Sequence, residues 1–347
     1  MVDSQRQTIT HDLIVIGTSA GGVEALTYLV RQLPADLNAA VIVVLHVATQ
    51  SPNVLHYILN SAGNLPAFLA EDGEAIKTGQ IYVAPADYHL LVKPGYLQLT
   101  RGPKENHHRP AIDPLFRTAA RAYGQRTIAV VLTGMLDDGT AGLTAVKMRG
   151  GIAVVQNPDD ALYPGMPNSA IANVEDIDYI LPLSKIPSIL VALANTPTAT
   201  EAQNPVPSQM EYESDMAQLN TELLENSINP PGKPSTFTCP DCGGTLWEIK
   251  EGKMLRFRCH VGHAFGAETL LAMQSEKMEE ALWSAIRALQ EKAKLSQQMA
   301  SRMRDRNQLA TAEELEQQAH DARQRSVFIE EVLDLSNKKR KGLPNKE

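Results

Sequence analysis

Asp12-Leu13-Ile14-Val15-Ile16-Gly17-Thr18-Ser19-Ala20-Gly21-Gly22 decides how the rest of this chain is read. A run apolar on both faces ends in a glycine-rich turn, and residues 22–33 then space their apolar side chains for a helix. The same alternation continues downstream. Strands are expected at 12–17, 40–46, 81–84, 127–133, 152–156 and 178–181, with helices at 22–33, 52–62, 113–123, 139–149, 166–173 and 184–194. This pattern predicts an α/β fold, a doubly wound, mostly parallel sheet of Rossmann-like kind. Residues 88–92 and 96–101, joined by Lys93-Pro94-Gly95, predict a β-hairpin added near one edge.

Beyond residue 195 the character changes. Positions 196–236 hold six prolines, six acidic residues, one basic residue and one aromatic, which predicts a disordered linker between a domain at 1–195 and the C-terminal modules. A Cys/His module is expected at 237–265 and a helical hairpin at 266–337. Leu282, Ile286, Leu289 and Ala293 step by four and three, as do Leu315, Ala319, Ala322, Ser326, Ile329 and Leu333. Each set marks one stripe, with the break between the helices expected near 304–308. A basic tail, 338–347, reads as a solvated end.

Composition excludes several classes. With 347 residues, 43% hydrophobic and 21% charged, the chain can bury more than one core. Forty acidic against 32 basic side chains give a net charge of −8, which disfavours a nucleic-acid partner. The longest apolar run, 39–45, is far short of the ~20 residues needed to cross a bilayer. Residues 1–11 carry no signal-peptide pattern, so membrane insertion is not expected and a cytoplasmic location is.

The turn after the first strand distinguishes three chemistries. A dinucleotide fingerprint needs glycine where Ser19 stands, and a phosphate loop needs a Gly-Lys-Ser/Thr ending that is absent. No organic cofactor is therefore expected. Gly17-Thr18-Ser19-Ala20-Gly21 fits a nucleophile elbow, which lifts a serine hydroxyl to the sheet's carboxyl edge. A serine at neutral pH needs a base, and His46 ends the second expected strand at the same edge. Gly134-Met135-Leu136-Asp137-Asp138-Gly139 follows another strand there, and either carboxylate can orient an imidazole while the other caps the helix at 139–149. The order Ser, His, Asp is not that of the α/β-hydrolases.

Residues 12 to about 193 resemble the catalytic domain of the chemotaxis protein-glutamate methylesterase (CheB) family. The resemblance is carried by Gly17-Thr18-Ser19-Ala20-Gly21-Gly22, Leu45-His46, Asp72-Gly73 and Ile81-Tyr82-Val83-Ala84-Pro85. It continues through His108-Arg109-Pro110-Ala111-Ile112-Asp113, Leu132-Thr133-Gly134-Met135, Asp138-Gly139-Thr140-Ala141-Gly142, Gln156-Asn157 and Gly165-Met166-Pro167. It implies Ser19 as nucleophile, His46 as base, Asp138 as orienting acid and the N–H of Met135 as an oxyanion donor. Gly134, Thr18, Arg109 and Met166 belong to the loops that then frame oxyanion and substrate. The family usually has glycine at the position of Leu136; if φ is positive there, the leucine strains the loop. Only about eleven residues precede the first strand, so no receiver domain and no control by phosphorylation in cis are expected. The implied activity is hydrolysis of glutamate methyl esters, with possible deamidation of glutamine, on cytoplasmic helices of chemoreceptor-type proteins. The competing expectations are a signalling adaptor on a degenerate esterase fold and a carboxylesterase of other substrates.

All three cysteines lie in 239–259. Cys239 and Cys242 are followed by Cys259 and then His263, with His260 as an alternative fourth ligand. Three thiolates and one imidazole suit structural zinc in a closed tetrahedral site. Similar cysteine-rich modules with a helical tail follow the esterase domain in some family members that lack a receiver, a resemblance that assigns no task. Because the helical stripes have a face to bury, the expected use is an interaction platform for other signalling proteins or for oligomerisation. Chelation is expected to unfold the module while Ser19 chemistry persists.

Overall fold

A computed structural model describes residues 10–198, 205–219 and 232–341. The expected sheet forms from β1 (Leu13–Thr18), β2 (Ala40–Leu45), β3 (Ala67–Leu69), β4 (Ile81–Val83), β7 (Thr127–Val131), β8 (Ile152–Gln156) and β9 (Tyr179–Leu181). Its order is β3-β4-β2-β1-β7-β8-β9, and every pairing is parallel. β3 was not expected: three residues with Phe68 exposed carry too little periodicity to register as a strand.

Alternation along β1 explains the two layers. Leu13 and Val15 enter a core with α3 (Ile112–Tyr123), α4 (Thr140–Met148) and α5 (Gly165–Asn173). Ile14 and Ile16 point the other way, to α1 (Gly22–Arg31), α2 (Leu55–Ala62) and α6 (Ile186–Ala194). The hairpin β5 (His89–Lys93) and β6 (Tyr96–Thr100) is a separate two-stranded sheet, not an addition to the edge of the large one. Leu90, Val92 and Leu97 instead join the core around α3, where the hydroxyl of Thr118 accepts the N–H of Val92 at 3.0 Å.

The segment expected as a linker contains a helix, α7 (Ser208–Gln218), with Met210, Glu213, Ser214, Met216 and Ala217 buried. Composition misled here because the charge of Glu213 is matched inside the protein. Positions 199–204 and 220–231 of that segment lie outside the described residues, as do 1–9 and 342–347. The cysteine module is a four-stranded antiparallel sheet of β10 (Lys233–Thr238), β11 (Thr245–Glu251), β12 (Met254–Cys259) and β13 (Ala264–Gly266).

The chain divides into two compact units, residues up to 270 and from 271 onward. The second unit consists of most of α8 (Ala267–Asp305) and of α9 (Leu309–Lys341). Between the two helices Asn307 adopts φ +58°, inside the expected break. Ile286, Ala293, Ala319, Ala322, Ser326 and Leu333 of the expected stripes are buried. The first four residues of the expected basic tail, 338–341, continue α9. Among the described residues no helix is long and apolar enough to cross a membrane.

Candidate active site

Parallel neighbours β2, β1 and β7 end at one rim, and the chain reverses its direction across the sheet between β1 and β7, where α/β sheets form clefts. Ser19 follows β1, His46 follows β2, and Asp138 lies in the loop after β7. The backbone locks these ends together: the N–H of Ser19 donates to Thr133 O at 3.1 Å and that of His46 to Thr18 O at 3.2 Å. Thr18, fully buried, adds a bond from its hydroxyl to Thr133 O at 2.8 Å.

Ser19 Oγ lies 3.2 Å from His46 Nδ1, and His46 Nε2 lies 2.7 Å from Asp138 Oδ2. The side chains of His46 and Asp138 are 5% and 3% exposed, so water cannot replace either partner. Asp138 Oδ2 also accepts the N–H of Ile112 at 2.7 Å, and Oδ1 accepts those of Asp113 and Gly139 at 3.1 and 2.9 Å. Burial by itself would raise the pKa of Asp138. The hydrogen bond and charge of His46, with these N–H donors, hold it instead well below the ordinary carboxylate range.

Asp137 points elsewhere. Its carboxylate accepts the hydroxyl of Thr269 and the N–H of Glu268, and burial raises its pKa. Asp137 does not cap α4 by its side chain; Asp113 of α3 does, accepting the N–H groups of Gly139 and Gly142 at 3.0 and 2.7 Å. Burial and then the charge of Asp138 push the pKa of Asp113 well up.

Met135 is 59% exposed, and among the described residues its N–H carries no hydrogen bond. The loop is held from below: Gly134 donates to Tyr163 O at 2.9 Å, and Met166 donates to Gly134 O at 2.9 Å. A Cβ on Gly134 would lie 2.1 Å from the sulfur of Met166 and 3.0 Å from Cβ of Ser19, so only glycine permits this approach. Leu136 adopts φ +63°, the strained conformation expected if this position needed a positive φ.

In front of Ser19 opens a cavity of about 590 Å³, also lined by His46, Thr49, Lys104, His107, His108 and Arg109. Arg109 is held by Asp87 at 2.6 and 3.0 Å and by the carbonyls of Arg101 and Gly102. His108 stacks on His46, with ring centroids 3.7 Å apart and planes 12° from parallel. Burial, then the neighbouring His46, lowers the pKa of His108 to about 3, so a neutral ring covers the His46 imidazole. Its role was not legible in the sequence, where His108 was merely part of a matching motif.

The second expected cluster also converges. One ligand atom from each of Cys239, Cys242, Cys259 and His263 lies within 4.8 Å of the others. Cys242 Sγ and Cys259 Sγ are 3.7 Å apart, and His263 Nδ1 is 3.6 and 3.7 Å from Cys259 Sγ and Cys239 Sγ. A tetrahedron with metal–sulfur bonds of ~2.3 Å has edges of about 3.8 Å, so the residues fit a metal ion. His263, not the exposed His260, completes the group.

Sequence reading missed what lies between the clusters. Arg117 of α3, Arg256 and Arg258 of β12, Glu213 of α7 and Glu105 form one ion network in which every side chain is at most 3% exposed. Contacts run from 2.6 Å for Arg117–Glu105 to 3.5 Å for Arg258–Glu213. Burial pushes both carboxylates up in pKa, and the guanidiniums outweigh it and hold them low. No local motif announces such a network, because its members are contributed by four separate segments.

The CheB methylesterase family profile matches residues 14–190. The chain is 39% identical over 186 residues to a protein of Leptospira interrogans, covering 53% of this chain and 96% of that one. It is 37% identical over 183 residues to the protein-glutamate methylesterase/protein-glutamine glutaminase of Pyrococcus horikoshii, covering 51% of this chain but 49% of the relative. The crystal structure of the CheB methylesterase catalytic domain from Thermotoga maritima superposes with a TM-score of 0.50 at 38% identity, over 52% of this chain and 98% of that one. The matched span holds the rim of β1, β2 and β7 with all three of its polar side chains, and on these grounds the chain belongs to the CheB methylesterase family.

Proposed function

We propose that this protein is a protein-glutamate methylesterase of the serine type, acting also on glutamine side-chain amide, in chemosensory signalling. One observation carries the reading: a continuous Ser19–His46–Asp138 hydrogen-bond chain whose serine end opens on a cavity and whose acid end is sealed. His46 Nδ1 takes the proton of Ser19 as Oγ attacks the ester carbonyl. The ionised Asp138 fixes the tautomer and stabilises the imidazolium. The N–H of Met135, without a hydrogen-bond partner among the described residues, receives the oxyanion, an interaction worth about 10²–10³ in rate. His46 then protonates the leaving methanol, or ammonia from an amide. Water, deprotonated by the same ring, releases the glutamate carboxylate and restores Ser19. Thr18, Gly134 and Met166 act by holding the two loops at contact distance, and Arg109 by fixing the cavity wall.

The substrate of this reading is the methylated cytoplasmic helix of a chemoreceptor-type protein, which requires a cytoplasmic enzyme. The domain comprises the sheet and its helices to about 195, and the Cys₃His ribbon holds structural zinc, supported by the ligand spacing. The helical hairpin from 271 is its extension toward other signalling proteins. Labelling by a fluorophosphonate should occur at Ser19, vanish in Ser19→Ala and fall strongly in His46→Ala. Methanol release from a methylated receptor should exceed that from small esters; equal rates would replace the proposed substrate with a general ester.

A further inference from the structure

Asn106 takes no part in the proposed chemistry, yet every polar atom of its side chain is engaged behind it. Nδ2 donates to Asp138 Oδ1 and to Asp113 Oδ2, both at 2.9 Å. Oδ1 accepts the N–H of Gly266 at 2.8 Å. Two carboxylates on one side and an N–H on the other permit a single orientation of the amide. The residue is 4% exposed, has φ +49°, and its own N–H donates to Ala264 O at 2.7 Å.

Ala264 and Gly266 belong to β13, which begins directly after the ligand His263 and pairs with β12, the strand ending in the ligand Cys259. The ribbon therefore reaches the acid of the triad through one side chain. Gly266 admits no substituent: a Cβ there would lie 2.0 Å from Asp137 Oδ2, in the residue preceding Asp138.

We propose that Asn106 is a positioning residue of the esterase, which transmits the fold of the Cys₃His ribbon through Gly266 to the Asp138 carboxylate that orients His46. This rests on the active-site reading under Proposed function. Asn106 is the side-chain donor on Asp138 Oδ1, beside backbone N–H groups that move with their own loops. Its two hydrogens also separate Asp138 from Asp113, a pair of buried carboxylates that otherwise share a proton. The ionisable groups that act on Asp138 are His46 after β2, His89 of β5, His108 before α3, Asp113 of α3 and the preceding Asp137. Glu105 and Arg256 act on Asp113 in turn. Loss of the amide raises the proton affinity of this group of acids.

The test uses the full chain and a methylated receptor. Asn106→Gly removes the amide at a φ that glycine adopts freely. It should lower kcat roughly ten- to hundredfold, the range for one hydrogen bond to a charged group, with KM unchanged. The acid limb of the kcat profile should move to higher pH, a change that loss of folded protein does not produce. Gly266→Ala should lower kcat and shift the limb in the same direction, and should do much less in the Asn106→Gly background. If Asn106→Gly does not fold, Asn106→Ser, whose shorter side chain cannot donate to both Asp138 and Asp113, takes its place in this cycle. Unchanged kcat and acid limb, or two effects that simply multiply, overturn the proposal. A native protein that neither hydrolyses ester nor takes label at Ser19 fails the active-site reading itself; one that does both, with variants that behave like it, overturns this inference alone.

Discussion

Two groups of charged side chains are buried in the first unit, and they differ in one respect that matters. The Arg117, Arg256, Arg258, Glu105 and Glu213 network is closed to solvent, and its three guanidiniums share two carboxylates. The His46–Asp138 pair is as buried, but its chain continues to a hydroxyl that faces a cavity. Both hold carboxylates below their ordinary pKa. A depressed carboxylate is thus common to both groups, and the open end is what separates them. The closed network joins α3 to α7 and β12.

The comparison breaks most sharply at Ser19. Ser19→Ala should reduce ester turnover by on the order of 10⁶-fold with the urea midpoint unchanged. Asp138→Asn, which leaves the wrong tautomer of His46, should cost about 10⁴-fold. Retention of more than a tenth of the rate in either variant would remove the distinction between the clusters. Glu213→Gln probes the closed network. Its guanidiniums lose their partner in a dry site, and the unfolding free energy should fall by about 3–5 kcal/mol, read from urea melts. Fluorophosphonate labelling of the folded fraction should suffer far less than in Asp138→Asn.

Acid separates the two further. Glu105 and Glu213 titrate lower in the fold than in the unfolded chain, so the network's stabilisation is complete above the ordinary glutamate pKa of about 4.3. It is lost as the pH falls below that value toward the depressed native ones. Hydrogen exchange of β12 amides should accelerate across this window, and the rise should shrink in Glu213→Gln, where Glu105 alone still titrates against the guanidiniums. Chelation of metal from Cys239, Cys242, Cys259 and His263 should unfold the ribbon, visible by circular dichroism, and also slow ester hydrolysis roughly tenfold, about the worth of one charge-assisted hydrogen bond. That reverses the expectation of an independent module, and an unaltered rate would restore it. The smallest effect belongs to Leu136. Leu136→Gly relieves the positive φ and should change stability by no more than about 1 kcal/mol in a thermal melt, with labelling of Ser19 retained.

Fold and site were unequally legible in the chain. Period-two burial of Leu13 to Ile16 and helical spacing after Gly22 suffice for the layers, because both are local. The strand ends at Ser19 and His46 follow from the same periodicity. Between Asp137 and Asp138 the residues themselves left a choice, since adjacent carboxylates differ only in where their loop turns them. Thr269 and Glu268 engage the first, and Ile112 and His46 the second. The helix α7 was hidden for a related reason: its acidic residue satisfies guanidiniums far away in sequence.

The sequence by itself determined the strand and helix alternation, the serine turn and the spacing of the four metal-type ligands. Each is a matter of neighbours a few residues apart, where backbone geometry dictates direction. Tertiary structure alone decided that Asn106 bridges Asp138 to Gly266 and that three guanidiniums share two carboxylates under the ribbon. Buried polar groups must find partners wherever the folded chain brings them, and nothing in local propensity records that meeting.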